Sequence, residues 1–205
     1  MKKILLVAFI LFSTANLFSQ NFSFGVVLGS SYIVNTVQNS SNRISGGPTY
    51  RVNKHFGVFG DYQFSDRFGV KLNTQYNRSY ENYEFYFGGY DYVDFTFSLN
   101  SIQIIPQLKF DVKTEYNKGL YLLAGPRMSF LLSAKDQSGA DVKDFYKSYL
   151  IGAQLGFGFN PSKYFAIEFI GDYGFSDISE AEPIEIKTFG GYINFAINLE
   201  SIINK

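Results

Sequence analysis

Phe56-Gly57-Val58-Phe59-Gly60-Asp61-Tyr62-Gln63-Phe64, Ser65-Asp66-Arg67, then Phe68-Gly69-Val70-Lys71-Leu72-Asn73-Thr74-Gln75-Tyr76 is the stretch that sets the fold. On both sides of Ser65-Asp66-Arg67 the even positions are mostly apolar or aromatic, and the odd positions are mostly Gly, charged or amide. A period of two belongs to a strand with two unlike faces; a helix would repeat every 3.6 residues. The three polar residues between the runs read as a tight turn. The stretch therefore predicts an antiparallel hairpin.

The same period recurs outward in both directions. It is carried by Phe22, Phe24, Val26 and Leu28, and by Ile102, Ile104, Leu108 and Phe110. The even positions of 120–132 continue it, then Tyr149, Ile151, Leu155, Phe157 and Phe159, then Phe165, Ile167, Phe169 and Tyr173, and last Phe189, Ile193, Phe195, Ile197 and Leu199. Eight segments of about ten residues result, the length a tilted strand needs to cross a bilayer. Connections at 65–67, 113–118 and 160–163 are short; those at 33–54, 79–98, 134–147 and 176–188 are long. Short turns at one end and long loops at the other are the pattern of an outer-membrane barrel, and an even strand number leaves both termini on the periplasmic, short-turn side. The expected fold is all-β, an eight-stranded antiparallel up-and-down transmembrane β-barrel. Pro106 and Pro126 fall in its outward register and predict bulges or weak pairing, because proline donates no ladder hydrogen bond.

Composition agrees. The chain has 205 residues, with 23 Phe, 16 Tyr and 19 Gly but no Trp, which favours strands over helices. Eighteen basic and eighteen acidic residues cancel, so there is no footprint for nucleic acid. Absence of Cys excludes disulfides, thiolate metal sites and cysteine catalysis. Met1-Lys2-Lys3, an apolar run over 4–12 and a polar segment over 13–20 read as a signal peptide, residues 1–19, with the barrel domain at 20–205. The alternative, a membrane-anchoring helix, is disfavoured by an apolar run too short to span.

The pattern shows two faces without saying which points inward. The apolar face carries Phe, Ile, Leu, Val and Tyr on eight strands, too much bulk for the interior of so small a barrel, so it is assigned to lipid. A lipocalin-like soluble binder is the alternative. Aromatic girdles are expected at Tyr62, Phe64, Phe68, Phe110, Tyr121, Phe159, Tyr164 and Phe165 on the periplasmic rim. On the outer rim they fall at Tyr32, Tyr76, Tyr149, Tyr173, Phe175 and Phe189.

The inward set then holds Asp61, Lys71, Lys109, Asp111, Arg127, Glu168 and Asp172 among Gln63, Asn73, Gln75, Gln103, Gln107, Gln154 and Asn194. Charges in so narrow a space must pair, or they carry a heavy desolvation cost. The favoured expectation is a structural plug; an ion path is the alternative. An enzyme would need a nucleophile, base or metal. The single His, His55, sits near the outer end of the second strand and reads as a polar interface residue at the rim, with Ser101, Ser129 and Ser148 as remote partners, so no catalytic, cofactor or metal site is expected. Asp136, Asp141, Asp144, Glu180 and Glu182 lack the spacing of a calcium loop. In the second long loop, aromatic and polar residues alternate about Gly88-Gly89, which predicts that two strands continue beyond the membrane as a hairpin. Tyr83, Phe85, Phe87, Tyr90 and Tyr92 are its candidate partner-binding residues.

Phe24-Gly25-Val26, the run from Tyr62 to Phe68, Ile104-Ile105-Pro106-Gln107-Leu108-Lys109, and Gly119-Leu120-Tyr121-Leu122-Leu123-Ala124-Gly125-Pro126-Arg127 together resemble the PorT-like outer-membrane β-barrel family of Bacteroidetes. The order of these pieces carries the resemblance more than any one. It implies a location in the cell outer membrane and insertion by the barrel-assembly machinery. The functional expectation is a small integral barrel, not an enzyme, with a structural or partner-binding role through its extracellular loops. Its partners would be outer-membrane lipid, lipopolysaccharide and an extracellular or envelope protein. A narrow channel for ions or small solutes and a lipid-modifying enzyme are the alternatives.

Overall fold

A computed structural model describes residues 22–38, 44–47, 52–88, 91–113, 117–180 and 185–204. The segment read as a signal peptide lies outside the described residues. The elements are β1 (Phe22–Gln38), β2 (Ile44–Gly47), β3 (Asn53–Gln63), β4 (Phe68–Gly88), β5 (Asp91–Asp111) and β6 (Gly119–Lys135). A 3₁₀ turn (Lys143–Phe145), β7 (Tyr149–Ser162), β8 (Phe165–Gly174), β9 (Glu185–Asn198) and a short helix α1 (Leu199–Ile203) follow. Every pairing is antiparallel, and β1 bonds to β9, so eight strands close a ring in the order β1-β3-β4-β5-β6-β7-β8-β9. Closure leaves no sheet edge to face hydrocarbon, which a spanning β-structure requires.

The stagger of the ring follows from register. From Arg78 the hydrogen-bonded row passes through Lys54, Ser30, Ile193, Phe169, Phe157, Leu122 and Phe110 and returns to β4 at Phe68. The shear is thus 78 − 68 = 10 residues over eight strands. With a rise of about 3.3 Å and a spacing of about 4.8 Å, the strands tilt by roughly 40° and the backbone radius is about 8 Å. So narrow a cylinder is filled by its own side chains.

The outer wall is apolar. Phe56, Val58, Leu72, Leu122, Leu155, Phe157, Phe169, Ile193 and Phe195 are all exposed. The inner wall is buried and largely polar: Asn73, Gln75, Gln103, Gln107, Gln154 and Asn194 lie inside with the seven charged residues. This is the inverse of a soluble barrel. Four bulky inward side chains each lie opposite a glycine in register: Phe59 at Gly25, His55 at Gly29, Tyr121 at Gly158 and Arg127 at Gly152. A Cβ on Gly158 would sit 2.2 Å from the Tyr121 ring, and one on Gly29 would sit 2.4 Å from the imidazole. The glycines seen as part of the pattern are the space these side chains occupy. Gly119 has a separate reason: with Asn117 (φ 59°) it takes positive φ (80°) in the turn into β6.

Several expectations change in detail. The eight ring strands run from 10 to 21 residues, because β1, β4, β5 and β6 continue past the apolar belt. The loop expected over 33–54 is mostly ordered strand: β1 reaches Gln38, and β2 adds a four-residue strand to the upper part of β4. Likewise β9 begins at Glu185, not Phe189, and Leu199 opens α1 instead of ending the last strand. Tyr121 is not a rim residue; its odd position turns it inward at 1% exposure. His55 is also not at the rim but buried in the interior, for the same reason of parity. Pro106 and Pro126 lie opposite each other. Between Ile104–Met128 and Leu108–Ala124 the β5–β6 ladder is interrupted, yet the register is unshifted. The two missing donors therefore share one gap instead of making two bulges.

Candidate functional site

Three ionic centres are spaced along the lumen. Nearest the short turns, Lys109 Nζ donates to Asp61 Oδ2 at 2.8 Å and to Asn117 Oδ1, with Asp111 Oδ2 at 4.0 Å. Lys71 donates to Glu168, whose carboxylate also accepts from Tyr121 Oη (2.7 Å) and Asn194 Nδ2 (3.1 Å). Above these, Arg127 grips Asp172 with two bonds of 2.6 and 3.0 Å. Amides connect the centres: Asn73 donates to Gln107, Gln107 to Gln154, and Gln154 to Asp172. All seven charged residues picked from the pattern are thus brought together, each 6% exposed or less. Gln63 is not among them; it donates to the Ser65 carbonyl in the turn.

An apolar layer shares this interior and was not legible as such: Phe59, Tyr121, Leu123, Ile170, Tyr192 and Ala196 form one cluster. The signal was present in Phe59 and Tyr192, aromatics in the polar register. Both alkylammonium groups lie over rings, Lys71 at 4.6 Å from the Phe59 centroid and Lys109 at 4.6 Å from Tyr121. Cation–π contact stabilises charge in a dry space.

His55 Nε2 lies 2.8 Å from Asn194 Oδ1 and donates to it, which ties the imidazole to the Glu168 centre. No bond joins it to Ser101, Ser129 or Ser148; the first two are buried in the barrel and the third is exposed. Among the described residues no group of His, Asp or Glu has the geometry of a metal site, and no helix is long and apolar enough to cross a membrane. Asp136 and Asp141 are turn residues: Asp136 accepts from Ser138 and Ala140, and Asp141 from the Lys143 amide. Glu182 lies outside the described residues.

Above the belt, β4 and β5 stay paired to Gly88 and Asp91. The overhang packs on the neighbouring loops through Tyr83, Leu99, Leu131, Ala134, Tyr146, Ile178 and Ile186, which roofs the outer mouth. Tyr83 is therefore turned inward, 4% exposed; it donates to Glu81 (2.7 Å) and accepts from Asn35 (3.1 Å). Tyr90 and the side chains of Phe85, Phe87 and Tyr92 lie outside the described residues. Glu81, which sequence reasoning missed, is buried in this roof, and burial lifts its carboxyl to about 7 against hydrogen bonds from Tyr83, Tyr146 and Asn35.

A model of the family described as "Outer membrane protein beta-barrel domain" matches residues 18–180. The chain belongs to that family. It is an integral β-barrel of the outer membrane, as its apolar wall requires. Solved structures of the same fold include Neisserial surface protein A, at 16% identity and a TM-score of 0.54, covering 85% of this chain and 96% of that one. The attachment invasion locus protein Ail of Yersinia pestis, solved with the heparin analogue sucrose octasulfate, aligns at 15% identity and a TM-score of 0.47 over 87% and 99% of the two chains. OprG of Pseudomonas aeruginosa aligns at 12% and 0.42 over 87% and 94%. No curated protein matches the sequence.

Proposed function

We propose that this barrel is a non-conducting, non-catalytic anchor that presents its roofed overhang to an extracellular or envelope protein. The observation that carries this reading is the pairing of a filled lumen with a β4–β5 hairpin that runs ten residues past Arg78 on the β4 side. A lumen crossed by three ion-paired centres contributes stability, and its seven charged residues are proposed as structural. The elaborated part of the molecule is outside. Phe95 is exposed there at 39% beside Phe97, with ring centroids 6.5 Å apart, an aromatic patch of the kind that contacts proteins. The PorT-like resemblance fits this reading, since a barrel presenting one ordered hairpin suits an envelope assembly. It rests on the order of loose motifs and carries no specific role.

Photo-crosslinking in cells tests it. A photoreactive residue at Phe95 is expected to give one discrete protein adduct, while the same probe at lipid-facing Phe157 gives none. Adducts at Phe95 no different from those at Phe157 would defeat the reading.

A further inference from the structure

Between the Arg127–Asp172 pair and the roof lies a chamber of about 60 Å³. Its wall is polar: Asn77 and Ser79 on β4, Ser101 on β5, Ser129 on β6 and Thr188 on β9 all line it. Asn77 and Ser101 are direct register partners, and Ser129 pairs with Gln103, the next inward residue of β5. Register thus gathers Asn77, Ser101 and Ser129 on one stretch of the inner wall. Asn77 and Ser129 are 4% exposed and Ser101 8%, yet Asn77 Oδ1 accepts no hydrogen bond, and the four hydroxyls find no partner among the described residues. Buried polar groups left unpaired are costly, which calls for a guest that pairs them.

The rest of the chamber fixes the chemistry of that guest. Leu99, Leu131 and Ile178 close it from the roof. A water molecule held against them forgoes hydrogen bonds on that side, whereas a hydrocarbon edge forgoes none. An anion would meet Asn77 Oδ1 and the Asp172 carboxylate, and a cation would meet the Arg127 guanidinium. A neutral hydroxyl donates to the amide oxygen and accepts from a serine at no such cost. The volume holds roughly four to six water-sized groups at about 10–15 Å³ each.

We infer that this chamber binds one short neutral diol, with its hydroxyls on Asn77, Ser101 and Ser129 and its carbon edge against Leu99, Leu131 and Ile178. The hydroxylated wall selects groups that both donate and accept, the apolar ceiling selects carbon, and the ion-paired floor excludes free charge. The floor also closes the way to the periplasm, so the guest enters from outside when the roof opens. Nothing in this site depends on a protein partner for the overhang.

The test is solution NMR of the full chain folded in detergent micelles. The amide signals of Asn77, Ser101 and Ser129 are followed during titration with propane-1,2-diol, and with acetate and ethylammonium as an anion and a cation of similar size. The expected result is a shift that saturates at roughly millimolar diol, and no saturation with either ion. Ser101→Ala/Ser129→Ala keeps the space, removes two hydroxyls and is expected to weaken diol binding about tenfold. The heat-resistant folded band on a gel confirms that this variant is folded. Diol shifts that stay linear, as for a chamber holding water only, would overturn the proposal. So would equal saturation by acetate or ethylammonium, or unchanged diol binding by the folded alanine variant. Should the alanines prevent folding, the comparison of diol with the two ions on the parent decides.

Discussion

Lys71 and Glu168 are 97 positions apart and meet inside the barrel with Tyr121 and Asn194 around them. Removing one partner leaves the other charge buried without compensation. Lys71→Met is therefore expected to destabilise the barrel by about 3–5 kcal/mol, and Lys71→Met/Glu168→Leu by much less, as read by urea unfolding in detergent. Glu81 makes a second prediction at this scale. The roofed state keeps its proton up to about pH 7, whereas an opened overhang releases it near the ordinary 4.5. Opening between those values releases a proton, so roof stability falls as pH rises from about 4.5 to 7 and stays flat above. The full loss is about 3 kcal/mol. Hydrogen exchange of the Tyr83 and Leu99 amides, corrected for intrinsic rates, is expected to show less protection at pH 8 than at pH 5. Glu81→Gln should abolish the difference.

Strands in this barrel are complementary in pairs, large against absent. Tyr121 on β6 faces Gly158 on β7, and the ring occupies the place of a Cβ. Gly158→Val is expected to cost about 1–3 kcal/mol by overpacking. Adding Tyr121→Ala to that variant should return part of the loss, a coupling that unfolding midpoints of the four proteins would measure. If Gly158→Val unfolds like the parent, the ring is not held where the register puts it. The period-two pattern identified each of the eight ring strands, though not the short β2, because alternation is a local property of the extended backbone. It could not say where strands stop: β4 and β5 cross the belt and continue, since the hydrogen-bonded ladder needs only a partner, in water as in lipid. It also misassigned Tyr121 and His55, because an aromatic or imidazole at a strand end reads as a girdle residue until its partner across the ladder is known.

At the scale of the molecule, a shear of ten on eight strands fixes a radius too small for an open bore once Arg127–Asp172, Lys71–Glu168 and Lys109–Asp61 are in place. Planar bilayers containing the protein are accordingly expected to show no stable unitary current; large, steady openings would mean the three centres do not seal the lumen. The sequence by itself determined the strands, their alternating short and long connections, and the set of charges that share one face, because each follows from neighbours on the chain. Tertiary structure alone decided which charge meets which, the apolar layer between them and the roof over the mouth. Those depend on the stagger at which β1 meets β9, which places residues from all eight strands side by side and is written in no local segment.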